Sequence, residues 1–432
     1  MIGCSSKIVG LNFSIERDFD WFLPASFGMK MSAIAKLVGP NEPDNFLCTR
    51  PSEINAPARW WYSGDVEVFR NQSLQEGASM SYKYHIGVDY HKKYSFMVVK
   101  DEQGKVLRSG QVPNQKKYVE KFVEPFAAGG HAVIEATRNW VVMHDWLEEM
   151  LDEVQLANPL KVKAIAEAKI KTDKIDSNVL SDLLRVDMIP RAHVPSLQAR
   201  NMRTVLRERM FFVRLRTMVK NRIHTIFDRY PEETKKFKPQ TDLFGKEGRE
   251  QLKAVTVSQT DRILIDRELE LLDRLNEFIK QSESTIKEQS RGNENVTRLK
   301  TIPGIGEFLA RLIDAEIDDI NRFRVPKKLA CYAGLVPSTY SSGGKTFNGR
   351  IIKGGNKWLR WGFVEAVIPA VGCDDELKED YERIKAKKGY NKAKVAIARR
   401  LLTIAFHVLK ERRNFRPLNK HERELKKVLR SS

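Results

Sequence analysis

From Tyr84 onward the chain lays down three short strand-like runs in quick succession, and strand-like runs then alternate with helical ones. Tyr84-His-Ile-Gly-Val-Asp89 alternates apolar and polar residues as a strand does. Tyr94-Ser-Phe-Met-Val-Val99 follows after a short basic turn, and Gly104-Lys-Val-Leu-Arg-Ser-Gly110 after the turn signal Asp101-Glu-Gln-Gly104. A helix is expected around Tyr118–Phe126, then a buried strand Ala132-Val-Ile-Glu135. A helix through Trp140–Leu151 leads to a last strand, Val154-Gln-Leu-Ala157.

A meander of three strands followed by alternating helices and strands predicts an α/β domain of RNase H-like fold, placed at residues 80–195. Residues 196–297 read as helical and heavily charged. There Ile265, Leu272, Leu275, Ile279 and Ile286 fall on heptad a and d positions, with Glu268 and Ser282 interrupting the seam. A coiled-coil arm for self-association and an intramolecular helical hairpin both fit that pattern. A third, mixed region, mainly helical, spans 298–415 and ends in the helix Lys392–Lys410; a basic tail covers 416–432.

The first 79 residues differ from the rest. They hold seven basic residues against nine acidic, a net −2, which against the +19 of the whole chain leaves +21 for the remainder. Trp21, Trp60 and Trp61 stand among scattered Pro, Asn and Ser without a sustained period, and Met80 directly precedes the first clear strand. This segment is expected to be a poorly ordered extension from an upstream start. The charge excess elsewhere, 75 Lys and Arg against 56 Asp and Glu, favours a polyanionic partner, because each neutralised phosphate releases condensed counterions. Four cysteines (Cys4, Cys48, Cys331, Cys373) without a CxxC pair argue against zinc ribbons and a disulfide framework and fit a reducing cytoplasm. No apolar run approaches the ~20 residues that cross a bilayer, and no signal-peptide pattern opens the chain. A soluble, intracellular protein with no membrane partner is expected.

Four carboxylates stand out by their order. Asp89 ends the first strand and Glu135 ends the buried strand, where loops vary without disturbing a core. Asp173 and Asp176 lie on a helix whose apolar face is Ile175, Val179, Leu180, Leu183 and Leu184. Residues three apart on a helix share a side, so both can face one ion. Hard oxygen ligands of this kind suit magnesium or manganese rather than zinc, and two such ions at ~4 Å could clamp a phosphodiester. The bland alternative is a turn cap and a solvated helix face. The succession of Asp on strand one, Glu on strand four and Asp-x-x-Asp on a later helix is what an RNase H-like nuclease requires.

In the second half, Thr301-Ile-Pro-Gly-Ile-Gly-Glu307 opens a helix bearing Phe308, Leu309, Leu312 and Ile313. Gly304 and Gly306 would let backbone N–H groups approach a phosphate, as in helix-hairpin-helix elements; a tight turn between packed helices is the alternative. Tyr340-Ser-Ser-Gly-Gly344 reads as a flexible loop of small residues followed by Lys345, Arg350, Lys353, Lys357 and Arg360, with Gly349, Gly354 and Gly355 leaving backbone access. Cations and bare amides beside a hydroxyl would stabilise a phosphorane-like transition state, which makes Ser342 a candidate nucleophile. No His lies near this loop in sequence, so no Ser-His-Asp relay is evident. Trp358 and Trp361 either stack on bases or pack, and packing is the commoner use.

His85-Ile-Gly-Val-Asp89, Val133-Ile-Glu-Ala136, Lys171-Thr-Asp-Lys-Ile-Asp176, Ile302-Pro-Gly-Ile-Gly306, Gly334-Leu-Val-Pro337 and Ser341-Ser-Gly-Gly-Lys345 occur in one order. With these motifs the chain resembles the DEDD-type insertion-sequence transposases, the bridge-RNA-guided recombinases of family one-ten. The resemblance runs from about Met80 to Arg412 and leaves out the N-terminal extension. It implies a RuvC-like domain, a coiled-coil linker and a C-terminal transposase domain with a serine nucleophile. Asp89, Glu135, Asp173 and Asp176 match the family's metal-binding tetrad without departure, and Ser342 matches the serine that becomes joined to DNA, with Ser341 an adjacent hydroxyl. The resemblance further implies a homo-oligomer, dimer or tetramer, in the bacterial cytoplasm at the nucleoid. Its partners would be donor and target double-stranded DNA and a structured guide RNA that carries base choice. A RuvC-like junction resolvase, using metal without serine catalysis, is the runner-up, and a catalytically silent nucleic-acid scaffold the third reading.

Overall fold

The computed structural model describes residues 82–137, 139–166, 172–238, 242–352 and 354–417. The expectations for the first 79 residues, for Lys353 and for the tail beyond Pro417 lie outside the described residues. The described residues fall into two compact units: those from 82 to 155 together with 163–189, and 156–162 together with those from 190 to 417.

The first unit is built on a mixed sheet. Along this part of the chain come β1 (Tyr84–Tyr90), β2 (Tyr94–Asp101), β3 (Val106–Pro113), α1 (Lys116–Val123), β4 (Gly130–Glu135), α2 (Trp140–Glu148), β5 (Glu153–Ala157), α3 (Pro159–Ile165), α4 (Asp173–Arg185) and the short β6 (Arg191–Ala192); the end of β5, the start of α3 and all of β6 count with the second unit. The strands hydrogen-bond in the order β3-β2-β1-β4-β5-β6. β1 runs antiparallel to β2 and parallel to β4, an arrangement consistent with the RNase H-like reading. Alternation decides the faces. Ile86, Val88, Met97, Val99, Ala132 and Ile134 point into a core closed by Val119 and Phe122 of α1 and Met143 and Leu147 of α2. The residues between them, among them Gly87, Val98 and Val133, face the other way, and α4 packs over β1, β2 and β4.

The line of contact between α4 and the sheet differs from the apolar face read in the sequence. Ile175 and Val179 are only half-buried, whereas Ser177 and Ser181 are fully buried beside Leu180, Leu183 and Leu184. The reason is Gly87. A Cβ built there would lie 2.0 Å from the Ser177 carbonyl oxygen and 2.7 Å from the Ser181 nitrogen. Only small side chains fit where a helix approaches a strand this closely. Their hydroxyls become clasps: Ser177 Oγ donates to Phe96 O at 2.8 Å and Ser181 Oγ to His85 O at 2.8 Å. Thr172 caps the helix by accepting from Ile175 N at 3.2 Å.

The second unit is helical. It contains α5 (Leu197–Phe227), α6 (Pro231–Thr234), α7 (Lys246–Ala254), α8 (Gln259–Gln289), α9 (Glu294–Leu299), α10 (Glu307–Ile317) and α11 (Pro326–Ala333), then the hairpin β7 (Pro337–Ser342) and β8 (Lys345–Ile351), and α12 (Lys357–Cys373), α13 (Asp375–Lys388) and α14 (Tyr390–Lys410). α5 and α8 lie side by side and antiparallel, as Arg222–Glu268 and Arg209–Glu283, each 2.7 Å, require. The seam of α8 is buried on α5 of the same chain: Ile265, Leu269, Leu272 and Leu275 meet Val219, Ile223 and Ile226. Leu269 fills the place where Glu268 breaks the heptad pattern, and Glu268 turns to Arg222.

Helices α9 to α14 share one core, in which Leu299, Ile313, Phe363, Leu401 and Leu402 are wholly buried. One ion network ties α5, α10 and the start of α12. The Glu316 carboxylate, 0% exposed, accepts from Arg207 Nη2 at 2.7 Å and from Asn356 Nδ2 at 2.7 Å. Asn356 in turn caps α12, accepting at 3.0 Å from Trp358 N and from Leu359 N.

Candidate active site

The carboxylates arrive on one face of the sheet by register. β1 and β4 pair in parallel up to Val88↔Ile134, so the next residues, Asp89 and Glu135, leave the two neighbouring strands at the same end. Period-2 alternation puts both on the face that carries Gly87 and Val133, the face covered by α4. The clasp from Ser177 to Phe96, whose register partner is Asp89, fixes the N-terminal turn of α4 at that same end. That turn carries Asp173 and Asp176.

The ligand atoms of Asp89, His91 and Asp173 all lie within 4.8 Å of one another. Glu135 and Asp176 stand outside that group. His91 Nε2 sits 3.1 Å from Asp89 Oδ2 and 3.2 Å from Asp173 Oδ2. Tyr94, across the β1–β2 turn, donates its phenolic proton to Asp173 Oδ2 at 3.0 Å. That bond to the Asp173 carboxylate holds the phenol above its ordinary pKa. Burial pushes the Asp89 carboxyl above the usual range, and the charges of Asp173 and Asp176 push the same way against the opposing pull of His91. A carboxyl raised by burial and by acidic neighbours gains from a cation beside it. The donor set, hard oxygens with one imidazole, fits a divalent ion of the magnesium–manganese class.

Sequence reasoning missed His91 and Tyr94. Asp89-Tyr-His91 has the spacing that keeps two side chains on one side of an extended chain, and Tyr94 opens the strand paired with β1. Those two signals were enough to find them.

In the second unit, Tyr340–Gly344, read from its small residues as a loop, is instead the end of β7 and the turn that leads into β8. Gly343 (φ +56°) and Gly344 (φ +76°) form a two-residue turn between paired Ser342 and Lys345. Positive φ at both central positions is the type I′ requirement, which glycine meets without strain. The hairpin separates the two serines. Thr339, Ser341, Thr346 and Asn348 share one face, where Thr339 Oγ1 donates to Asn348 Oδ1 at 3.0 Å and the Ser341 and Thr346 hydroxyls bond at 3.0 Å. Ser342 lies on the other face with Lys345, Tyr340 and Phe347. Those two aromatic rings are 66% and 64% exposed. Among the described residues the Ser342 hydroxyl has no hydrogen-bond partner.

The remaining candidates have mixed placements. Lys345 and Arg350 are exposed on the hairpin. Arg360 is half-buried and donates to the carbonyls of Ala333, Ile352 and Gly354 at 3.4, 3.3 and 3.2 Å, so it braces the foot of the hairpin; burial lowers its pKa. Lys357 Nζ lies 5.1 Å from the Trp358 ring centroid. Trp358 and Trp361 pack against the Met202, Leu206 and Leu312 cluster. Gly304 (φ +79°) is pressed on α12, where a Cβ would lie 2.3 Å from Ala366 O. It serves as the tight turn between packed helices, whereas Gly306 at the start of α10 is open.

Comparison with known proteins gives a consistent result. Residues 86–231 match the IS110-type DEDD transposase family and residues 296–382 the Transposase IS116/IS110/IS902 family. The chain is 26% identical over 342 residues to the transposase for insertion sequence element IS1111A of Coxiella burnetii, covering 77% of this chain and 91% of the relative. It is 28% identical over 293 residues to the pilin gene-inverting protein of Moraxella bovis, covering 66% and 81%. It is 37% identical over 86 residues to the transposase for insertion sequence element IS1328 of Yersinia enterocolitica, covering 20% and 26%.

Proposed function

Since the chain belongs to the IS110 family of DEDD transposases, and is therefore a DNA transposase and recombinase, we propose that it cuts and rejoins DNA through a phosphoserine link made by Ser342 and assisted by divalent metal. The observation that carries this reading is the meeting of Asp89 and Asp173 at one end of one sheet face, with Asp176 on the same helical turn adding its charge at Asp89 and Glu135 leaving the neighbouring strand at that end. The fold of such a transposase implies divalent metal, and among the described residues an acidic cluster suited to it is in place.

Asp89 and Asp173, joined by Glu135 and Asp176, would hold magnesium or manganese. A bound ion supplies charge neutralisation at the scissile phosphate and at the oxygen that leaves it. The Ser342 Oγ attacks phosphorus, an Oγ–P bond forms, and a P–O bond of the DNA breaks to release a strand hydroxyl. Attack by a hydroxyl of the exchanged strand reverses the step and frees the serine. Three features support Ser342 over Ser341: an unengaged hydroxyl, the paired Lys345 on the same face, and the bond that occupies Ser341. Lys345 and Arg350 engage the DNA backbone. Gly306 offers open backbone at a helix start, and Lys353 and Lys357 complete the basic set. Arg360 acts by holding the hairpin foot rather than by direct contact.

Oligomerisation and a structured guide RNA complete the reading, the RNA supplying base choice and the basic surface binding its backbone. The inverting activity named for the Moraxella relative supports strand exchange that rejoins both ends. The test is incubation with cognate element DNA and magnesium. Wild-type protein should exchange strands, Asp89→Asn should do nothing, and Ser342→Ala should form no joint product. Cutting that persists undiminished in Ser342→Ala would instead make the protein a metal-only nuclease.

A further inference from the structure

The imidazole of His91 has no place in the four-carboxylate scheme, yet its Nε2 stands at contact distance from Asp89 and Asp173 at once. The two separations, 3.1 and 3.2 Å, are made without hydrogen-bond alignment to either carboxylate. Adjacent ligands of an octahedral ion held at ~2.1 Å stand about 3.0 Å apart, the edge of the octahedron. Two contacts of that length meeting at one nitrogen fit an ion shared by the three groups; a paired imidazolium gives the same spacing, and it is the missing hydrogen-bond alignment at Nε2 that favours the ion.

The backbone that carries the ring is also held in place. His91 N donates to Tyr94 O at 3.0 Å, closing the β1–β2 turn. Its own carbonyl accepts from Asn114 Nδ2 at 2.6 Å, and Asn114 Oδ1 accepts from Ser95 Oγ at 2.7 Å. The rings of His91 and Tyr94 approach to 5.1 Å between centroids while the Tyr94 hydroxyl orients Asp173. A hydrogen bond that orients a ligating carboxylate, as Tyr94 orients Asp173, is a common feature of metal centres.

We propose that His91 is a nitrogen ligand of the carboxylate centre and biases that centre toward manganese over magnesium. The proposal rests on the reading of Asp89 and Asp173 as metal ligands. Imidazole binds the first-row transition ions well and magnesium poorly, whereas carboxylate and water serve both. A centre with one nitrogen among its oxygens therefore discriminates between two ions that an all-oxygen centre treats more alike.

The test uses full-length protein titrated with Mn2+ and with Mg2+, and Mn2+ electron spin echo spectra read for nitrogen coupling. Wild type should show imidazole 14N modulation that vanishes in His91→Ala and His91→Gln. Mn2+ binding in those variants should weaken about tenfold or more, the loss that even an outer partner can cause, while Mg2+ binding shifts by about threefold or less. Unchanged melting curves would show that the variants fold. Mn2+ binding that Asp89→Asn abolishes but that lacks nitrogen modulation in wild type overturns the role of His91 and leaves the carboxylate centre standing. Tighter Mn2+ binding in His91→Ala overturns it too, since the ring would then compete with the ion. A second cluster, His144, Asp145 and Glu148 on α2, is the control. Modulation lost in His144→Ala and kept in His91→Ala moves the nitrogen there and overturns the proposal. Mn2+ binding untouched by Asp89→Asn sinks the carboxylate centre itself.

Discussion

Gly87 and Ser177 meet backbone to backbone: a side chain of any kind on Gly87 would lie within 2.0 Å of the Ser177 carbonyl oxygen. That contact sets the height of α4 above β1 and hence the distance from Asp173 and Asp176 to Asp89. Gly87→Ala should push the helix outward, costing about 1–3 kcal/mol as overpacked cores do. Divalent-metal binding should fall with it. Urea denaturation and metal titration check this; wild-type metal affinity in a destabilised Gly87→Ala protein would show that the contact does not position the carboxylates.

A second prediction concerns pH. Burial lowers the pKa of His85 from 6.5, with the Arg185 charge acting in the same direction and Glu102 and a Tyr82 backbone contact opposing. The folded chain thus binds the proton less readily than the unfolded one. Its contribution is present above about pH 6.5 and is lost as pH falls through that value toward the lowered folded one. The thermal midpoint should drop between pH 7 and pH 5, and His85→Gln should flatten that slope. An identical slope in the variant would contradict it.

A third concerns the Glu316 carboxylate, wholly buried among Arg203, Arg207 and Asn356. Glu316→Ala leaves the buried Arg203 and the part-exposed Arg207 without their carboxylate and removes a partner from the Asn356 cap of α12. Loss of about 3–5 kcal/mol is expected, measured by chemical denaturation, with the hairpin that precedes Asn356 losing protection in hydrogen exchange. A change below 1 kcal/mol would mean that the network is solvated.

Much of the first unit was legible because strong alternation and turn residues left its strands little choice, and Asp89 and Glu135 followed from strand ends. The face of α4 was misjudged at Ile175 and Val179 because apolarity marks burial only when there is room. Above Gly87 there is room only for serine. The hairpin at Pro337–Ile351 was hidden by Ser and Gly, which carry no strand signal until Gly343-Gly344 is seen as a type I′ turn between Thr, Tyr and Phe. Gly304 shows the reverse: a glycine suited to phosphate by motif, occupied by the backbone of α12.

The two hairpin serines give the last prediction. Ser341 is bonded to Thr346 on one face, and Ser342 faces the other way beside Lys345. Ser341→Ala should keep strand exchange within about fivefold, since losing one exposed neutral hydrogen bond costs about 1 kcal/mol or less, whereas Ser342→Ala should abolish it.

The most direct measurement is mass spectrometry of protein trapped with cognate DNA and divalent metal, then digested to peptides. A nucleotide-bearing peptide from 334–350, modified at Ser342 and absent in Ser342→Ala and Asp89→Asn, is the predicted result. Strand exchange proceeding with no adduct in that peptide, or with the adduct on another residue, would contradict the account.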